Sequence, residues 1–415
     1  MQVCVLGAGV VGLTTAYYLA RDGHDVTVLE GRGGAALEAS FANGGQLSYS
    51  YVAPLADPAV LPHLPAWLLQ RDSALRFVPR LDVQQWRWCV SFLLACRTHR
   101  ARRTAVELLA LGALSRDALH ALVRDEALDF DYVRNGKLVV YRNPVEFDRA
   151  RRRMEPLVAA GVEQHALDAA ACVALEPALA DAQPLLAGGI HTPSEEAGDC
   201  HRFGVTLADV LQRRYRVTIR YATPVSELVA PNGSVIAART PRGDVRADAF
   251  VVALGNGSVS LLGALGVRLP IYPLTGYSLT ITATPPRAPR VSVTDLHRKV
   301  VYAPLGGRLR VAGMVEIAGM DLGQRVARLA LLARHAQEMF PAAGDYISAR
   351  TWCGHRPATP DSKPLLGATP YRNLWLNTGH GALGFTLACG SARVVAEAIA
   401  GRTPPVDLAA YSLRR

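Results

Sequence analysis

Lysine is nearly missing from this chain: Lys137, Lys299 and Lys363 are its only three, so 42 of the 45 basic residues are arginine. The formal charge of +10 therefore rests on arginines spread along the sequence, without the interleaved aromatics of a single-strand groove, which argues against a nucleic-acid partner. Cysteine is scarce as well. The seven cysteines form no CxxC pair and no zinc spacing, and most read as small buried thiols in a reducing, cytoplasmic compartment. No run of about 18 uninterrupted apolar residues occurs, so no membrane span is expected. The apolar start at residue 3 has no basic region before it and is cut by glycines, unlike a secretion signal. HExxH, GxSxG and GxxxxGK[ST] are absent, which removes zinc-protease, serine-hydrolase and P-loop chemistry.

What is present begins at the N-terminus. Half of the 415 residues are apolar, enough for about two domains. Gln2–Leu6 reads as a strand, followed by Gly7-Ala8-Gly9-Val10-Val11-Gly12, a helical stretch to residue 20, and a second strand Asp25–Leu29 closing on Glu30. Gly7 permits the tight turn, Gly9 lets backbone approach a pyrophosphate, and Gly12 lets helix and strand pack closely. The phosphates would sit at the free amides of the helix N-terminus. Glu30, 18 residues after Gly12, suits ribose hydroxyls and repels a 2′-phosphate, which argues against NADP. No second GxGxxG occurs for a separate nicotinamide cofactor. The small-residue loop that follows carries Ser40, Asn43, Gly44 and Gln46, with Ser40 and Asn43 placed to donate to phosphate or ring.

Farther on, residues 84–125 predict one long helix and residues 130–141 a hairpin turning at Asn135-Gly136. Helices are predicted over 145–160 and 323–339, strands over 216–221, 225–229 and 247–253, and a β-rich stretch over 271–315. The prolines of residues 57–65 mark an irregular connection. The order suggests a mixed α/β chain, with a Rossmann-like nucleotide-binding domain (1–80, 150–260 and 345–415) interrupted by a mixed-sheet substrate-binding domain (81–149 and 261–344).

Near the C-terminus, Gly354-His355-Arg356-Pro357-Ala358-Thr359-Pro360-Asp361 precedes Asn377-Thr378-Gly379-His380-Gly381-Ala382-Leu383-Gly384. The second motif opens an apolar helix over 385–400, again a helix N-terminus suited to something polar. Arg356, held between turn residues, offers a planar fork for a carboxylate, against the alternative of a structural ion pair. His380, flanked by glycines, reads as a turn residue or a general base.

Taken together, VCVLGAGVVGLTTAYYLARDGHDVTVLE, ASFANGGQLS, TPSEEAGDCHRF, IYPLTGYSLTI, LRVAGMVEIAG, GHRPATPDSKPLLG and LWLNTGHGALGFTLACGS span almost the whole chain. They resemble the D-amino-acid oxidase superfamily of FAD-dependent oxidoreductases, and within it the bacterial D-amino acid dehydrogenase branch. The resemblance implies noncovalent FAD, oxidative deamination of D-amino acids to 2-oxo acids and ammonia, and electrons passed to a quinone or respiratory chain at the inner face of the cytoplasmic membrane. It implies that Val3, Gly7, Gly9, Val10, Val11, Gly12 and Glu30 hold the ADP half, and that Ser40, Asn43, Gly44 and Gln46 run along pyrophosphate and flavin. Val225 would meet the adenine and Gly255 close the floor. Gly379, His380, Gly381 and Gly384 would approach the flavin, while Arg356, with Tyr277, would bind the substrate carboxylate. The family pattern has a lysine where Thr275 stands, so a positive charge near the substrate mouth is expected to be lost.

D-proline or cis-4-hydroxy-D-proline dehydrogenases, and oxygen-using D-amino acid or glycine oxidases, share these motifs. Some relatives attach flavin through a cysteine near Gly354; for Cys353 a buried thiol is the expectation. A nucleotide-binding regulatory flavoprotein is the non-enzymatic alternative, opposed by the intact Arg356 and His380 motifs. A flavin-dependent RNA-modifying enzyme would need a basic nucleic-acid surface or an added domain. Trp86, Trp88 and the apolar run 89–96, followed by Arg97, Arg100, Arg102 and Arg103, are a candidate for peripheral membrane contact. The simpler reading of that segment is a helix packed on its own domain.

Overall fold

A computed structural model describes residues 1–64, 73–159, 162–321 and 325–415. Alternation along the first strand builds the first layer. Val3 and Val5 enter a core shared with the helices Val10–Arg21, Cys200–Arg214 and Gly384–Ile399, while Cys4 and Leu6 enter another on the opposite face. Apolar residues on both faces are what a parallel sheet covered on both sides requires. That sheet runs Leu365–Ala368, Leu374–Thr378, Ala249–Val252, Gln2–Leu6, Asp25–Leu29, Thr218–Arg220, parallel except at the first strand. A three-stranded sheet, Glu227–Val229, Ala237–Thr240 and Gly243–Val245, covers its second face.

The second layer is a nine-stranded, mostly antiparallel sheet. Its order is Arg350–Ala358, Tyr272–Thr282, Arg308–Ile317, Val300–Leu305, Ser292–Asp295, Lys137–Tyr141, Gly188–Thr192, His165–Leu167, with Leu75–Phe77 paired to Arg308–Ile317. The helix Arg325–Met339 packs across it.

Sheet membership corrects the expected domain boundaries. Strands His165–Leu167, Gly188–Thr192 and Arg350–Ala358, assigned to the nucleotide unit, belong to the nine-stranded sheet. The helix Thr98–Glu126, assigned to the substrate unit, instead packs on Gly384–Ile399. Pairings such as Leu167 with Gly189 and Tyr272 with Ala358, and the packing of Thr98–Glu126 on Gly384–Ile399, decide this, and local periodicity carries no trace of them.

The predicted helix 84–125 is two helices, Val83–Ala95 and Thr98–Glu126, divided at Arg97, whose backbone is extended. The break lets one length bury Trp88 and Phe92 in a small core and the other bury Leu108 and Leu111 in the nucleotide core. The expected hairpin at 130–141 does not form. Gly136 launches Lys137–Tyr141, and both edges of that strand are taken by Ser292–Asp295 and Gly188–Thr192, leaving the incoming residues a single bridge, Val133 to Ala197. By length and mean hydropathy one stretch, Gly381–Ile399, could cross a membrane, although Thr386, Ser391, Arg393 and Glu397 interrupt its apolar run. It is mostly buried, its helix packed between Val10–Arg21 and Thr98–Glu126. Pro65 and residues 160 and 323, at the ends of predicted segments, lie outside the described residues.

Candidate active site

A cavity of about 810 Å³ runs between the two sheets, and the motifs from both ends of the chain meet in it. The glycine turn forms one end. Gly7 adopts φ +107°, where an added Cβ would lie 2.7 Å from the Ala253 carbonyl oxygen. At Gly12 a Cβ would stand 1.9 Å from the Gly7 carbonyl oxygen. Gly9 begins the helix Val10–Arg21 without a side-chain cap, so that helix opens its amides toward the cavity, and Val10 N–H donates to Ser40 Oγ at 3.1 Å.

Glu30 braces this turn. Its Oε2 accepts from the Ala8 amide and its Oε1 from the Arg32 amide, each at 2.7 Å. An ionised carboxylate has about four acceptor positions, so capacity remains for ribose hydroxyls. Val10, Val11, Ser40, Asn43, Gly44, Gln46, Val225, Gly255, Gly379, Gly381 and Gly384 all line the cavity; Val3 and Gly12 do not. Val3 is 1% exposed within the core, and Gly12 serves the helix–strand contact alone. Two side chains of this loop also make contacts within the protein. Asn43 Oδ1 accepts from the Gly45 amide at 3.0 Å, and Gln46 Nε2 donates to the Val293 carbonyl at 3.2 Å, tying the loop to the nine-stranded sheet.

At the other end Arg356 projects from Arg350–Ala358 into the cavity. Its guanidinium lies over Gly276 on the neighbouring strand, where an added Cβ would be 2.6 Å from Nη2, 2.7 Å from Cζ and 2.9 Å from Nε. No acidic partner approaches it among the described residues, and burial pulls its pKa down to about 10, still fully charged at neutral pH. A cation held this way, without a carboxylate, is suited to an anionic ligand.

The other expected reaction residues stand differently. Tyr277 lines the cavity, but its single hydroxyl proton goes to Glu316 Oε2 at 2.6 Å, so it has none left for a substrate carboxylate. His380, 3% exposed, shares Nε2 with Ser391 Oγ at 3.0 Å, and burial lowers its pKa to about 3. A neutral, weakly basic imidazole already hydrogen-bonded is a poor general base. Thr275 is fully buried, does not line the cavity, and bonds His355 Nδ1 at 3.2 Å. Nor is the cavity short of positive charge: Lys137 and Lys299 line it, and sequence reading missed both. The available signal was compositional, because two of only three lysines in an arginine-rich chain face this one cavity. Cys353 packs against the core of the nine-stranded sheet and does not line the cavity.

These residues fit an adenine dinucleotide. Two helix N-termini whose own N-cap residues make no side-chain hydrogen bond, of Val10–Arg21 and Gly384–Ile399, open on one cavity with a carboxylate at its nucleotide end. The buried Asn377 Oδ1, in the cavity wall, has no partner within the described protein.

A family model described as FAD dependent oxidoreductase matches residues 2–398. The chain is 51% identical to D-amino acid dehydrogenase 2 of Pseudomonas aeruginosa, over 98% of this chain and 96% of that one. It is 46% identical to D-amino acid dehydrogenase 2 of Ralstonia nicotianae over the full length of both. Among solved structures, glycine oxidase from Geobacillus kaustophilus superposes with a TM-score of 0.78, covering 100% of this chain and 98% of that one, at 22% identity.

Proposed function

Since the chain belongs to the FAD dependent oxidoreductase family, we propose that it deaminates D-amino acids oxidatively, yielding a 2-oxo acid and ammonia, with the two electrons delivered to a quinone. The observation that carries the reading is Arg356, an uncompensated guanidinium in the cavity of a chain whose relatives at 51% and 46% identity are D-amino acid dehydrogenases. FAD, when bound, supplies the two-electron acceptor for the substrate Cα–H bond. The chain's own part is positional. Arg356 holds the carboxylate by two charge-assisted hydrogen bonds, and the walls keep the substrate in one orientation, an effect able to lower a barrier by several kcal/mol.

The reading includes noncovalent FAD, supported by the position of Cys353 outside the cavity wall. Acid precipitation should leave all the FAD in the supernatant. It also includes docking on an anionic membrane. Along Val83–Ala95, Trp88 and Phe92 are buried, whereas Val83, Trp86, Val90, Leu93 and Leu94 are exposed ahead of Arg97, Arg100, Arg102 and Arg103. Flotation with anionic vesicles that is lost at high salt is the expected result; no flotation at low salt removes this part.

The central test is anaerobic flavin bleaching by D-alanine, D-phenylalanine, D-glutamate, D-arginine, D-proline and cis-4-hydroxy-D-proline, followed by addition of oxygen or a quinone. Bleaching by at least one, with reoxidation faster by quinone, is expected. FAD-loaded protein that none of them bleaches defeats the proposal.

A further inference from the structure

Lys137 begins the strand Lys137–Tyr141, launched by Gly136 at φ +71°, where a Cβ would meet His191 Nε2 at 2.7 Å. Its side chain lines the same cavity as Arg356. Nζ is hydrogen-bonded to Ser48 Oγ at 2.9 Å and lies 4.6 Å from the centre of the Tyr51 ring. The flanking strands place Thr192 and Ser292 beside it, polar but uncharged. Glu195, in the turn after Gly188–Thr192, is the charged group that acts on it, at a distance beyond an ion pair, and Glu195 Oε2 has no partner among the described residues. Burial lowers the Lys137 pKa to about 8, against a smaller opposing pull from Glu195.

A buried amine with so little compensation is neutral in about a tenth of the molecules at pH 7 and in half of them near pH 8, and the neutral form has a lone pair to offer. Arginine cannot do this, because it does not release its proton in proteins. The other cavity groups are committed: His380 to Ser391, His355 to Thr275, Tyr277 to Glu316, and Glu30 to two backbone amides. Lys299 stands at a left-handed turn on the rim, where burial of its amine lowers its pKa against the opposing pull of two carboxylates, Glu146 and Asp295.

We infer that Lys137 takes the proton from the substrate's ammonium, producing the neutral amine from which Cα oxidation proceeds. The inference rests on the D-amino acid reading above. In this step one N–H bond of the ammonium breaks and one forms at Nζ. The electron pair stays on the substrate nitrogen, so only a proton moves. The ammonium formed at Lys137 is then held by Ser48, the Tyr51 face and the field of Glu195.

The test compares K137M and K137R with the parent protein, using whichever panel compound bleaches the parent fastest. Flavin absorbance after purification reports cofactor retention, and anaerobic reduction at saturating substrate is followed across pH. Both variants should hold FAD yet reduce it about 100-fold more slowly at pH 7, a typical share for proton transfer to a positioned group. The deficit should shrink in both as pH rises past the substrate's own ammonium pKa. A K137R protein with the parent rate would overturn the inference, since a fixed charge would then suffice. So would a K137M deficit that is the same at every pH, the mark of a merely structural role. If K137M purifies colourless, K137Q, which can still bond Ser48, carries the comparison under the same criteria. A bleached parent with unaffected variants defeats the Lys137 role alone, whereas a parent bleached by none of the panel defeats the D-amino acid reading and this role with it.

Discussion

Replacing Gly276 by alanine isolates the position of Arg356 from its charge. The new methyl would lie 2.6 Å from Nη2, and carbon–heavy-atom contacts relax at about 3.5 Å, so the guanidinium must move by about 1 Å. The atoms in the way are the far end of a flexible side chain, and Gly276 lacks the positive φ that strains a substituted glycine, so the fold yields at modest expense, about 1 kcal/mol. A misplacement of about 1 Å in a positioning group can cost roughly 100-fold, or about 2.7 kcal/mol in kcat/KM. Arg356→Ala should cost more, about 3–6 kcal/mol for two charge-assisted hydrogen bonds. Steady-state kcat/KM with a dye acceptor, FAD content and Tm make up the assay. Because both changes act through one guanidinium, the double variant should be no worse than Arg356→Ala alone. A Gly276→Ala protein with unchanged kcat/KM, or one whose FAD content falls along with activity, would refute the placement of the carboxylate at Arg356.

Gly9 and Gly12 should part company. Gly12→Ala drives a Cβ against the Gly7 backbone and should lower the Tm of the apoprotein and abolish FAD retention, whereas Gly9→Ala meets only Ser40 Oγ at 3.6 Å and should keep the apo Tm while weakening FAD; equal apo Tm values would count against this turn geometry. Glu30→Ala leaves two backbone amides without their acceptor and should weaken FAD about 10- to 100-fold, measured by fluorescence titration of apoprotein. For Lys137 the folded pKa of about 8 lies below the ordinary 10.5, so between these values the unfolded chain holds a proton that the fold has released, and parent stability rises with pH across that window. Apo K137M lacks this rise. It should be more stable at pH 7, by up to about 3 kcal/mol, with the gap closing toward pH 10.5; a gap that widens with pH in thermal melts would contradict the burial of that ammonium.

Much of the nucleotide end was legible in sequence because its physics is local. A strand, a turn that admits only glycine at Gly7 and Gly12, a helix and a second strand ending on Glu30 are specified within thirty residues by sterics and amide geometry. The helix Gly384–Ile399 opening on a glycine-rich turn was readable for the same reason, as was the suitability of Arg356 for an anion. Tertiary structure decided the rest through pairings between residues far apart. It drew His165–Leu167, Gly188–Thr192 and Arg350–Ala358 into one sheet and turned Thr98–Glu126 onto the nucleotide core. It set Glu316 within reach of the Tyr277 hydroxyl, Ser391 beside His380 and His355 against Thr275, so that side chains which look reactive in sequence are occupied in the fold. It also carried Lys137, buried on a central strand, into the cavity wall, because strand register determines which side chains face an enclosed space and what water they lose.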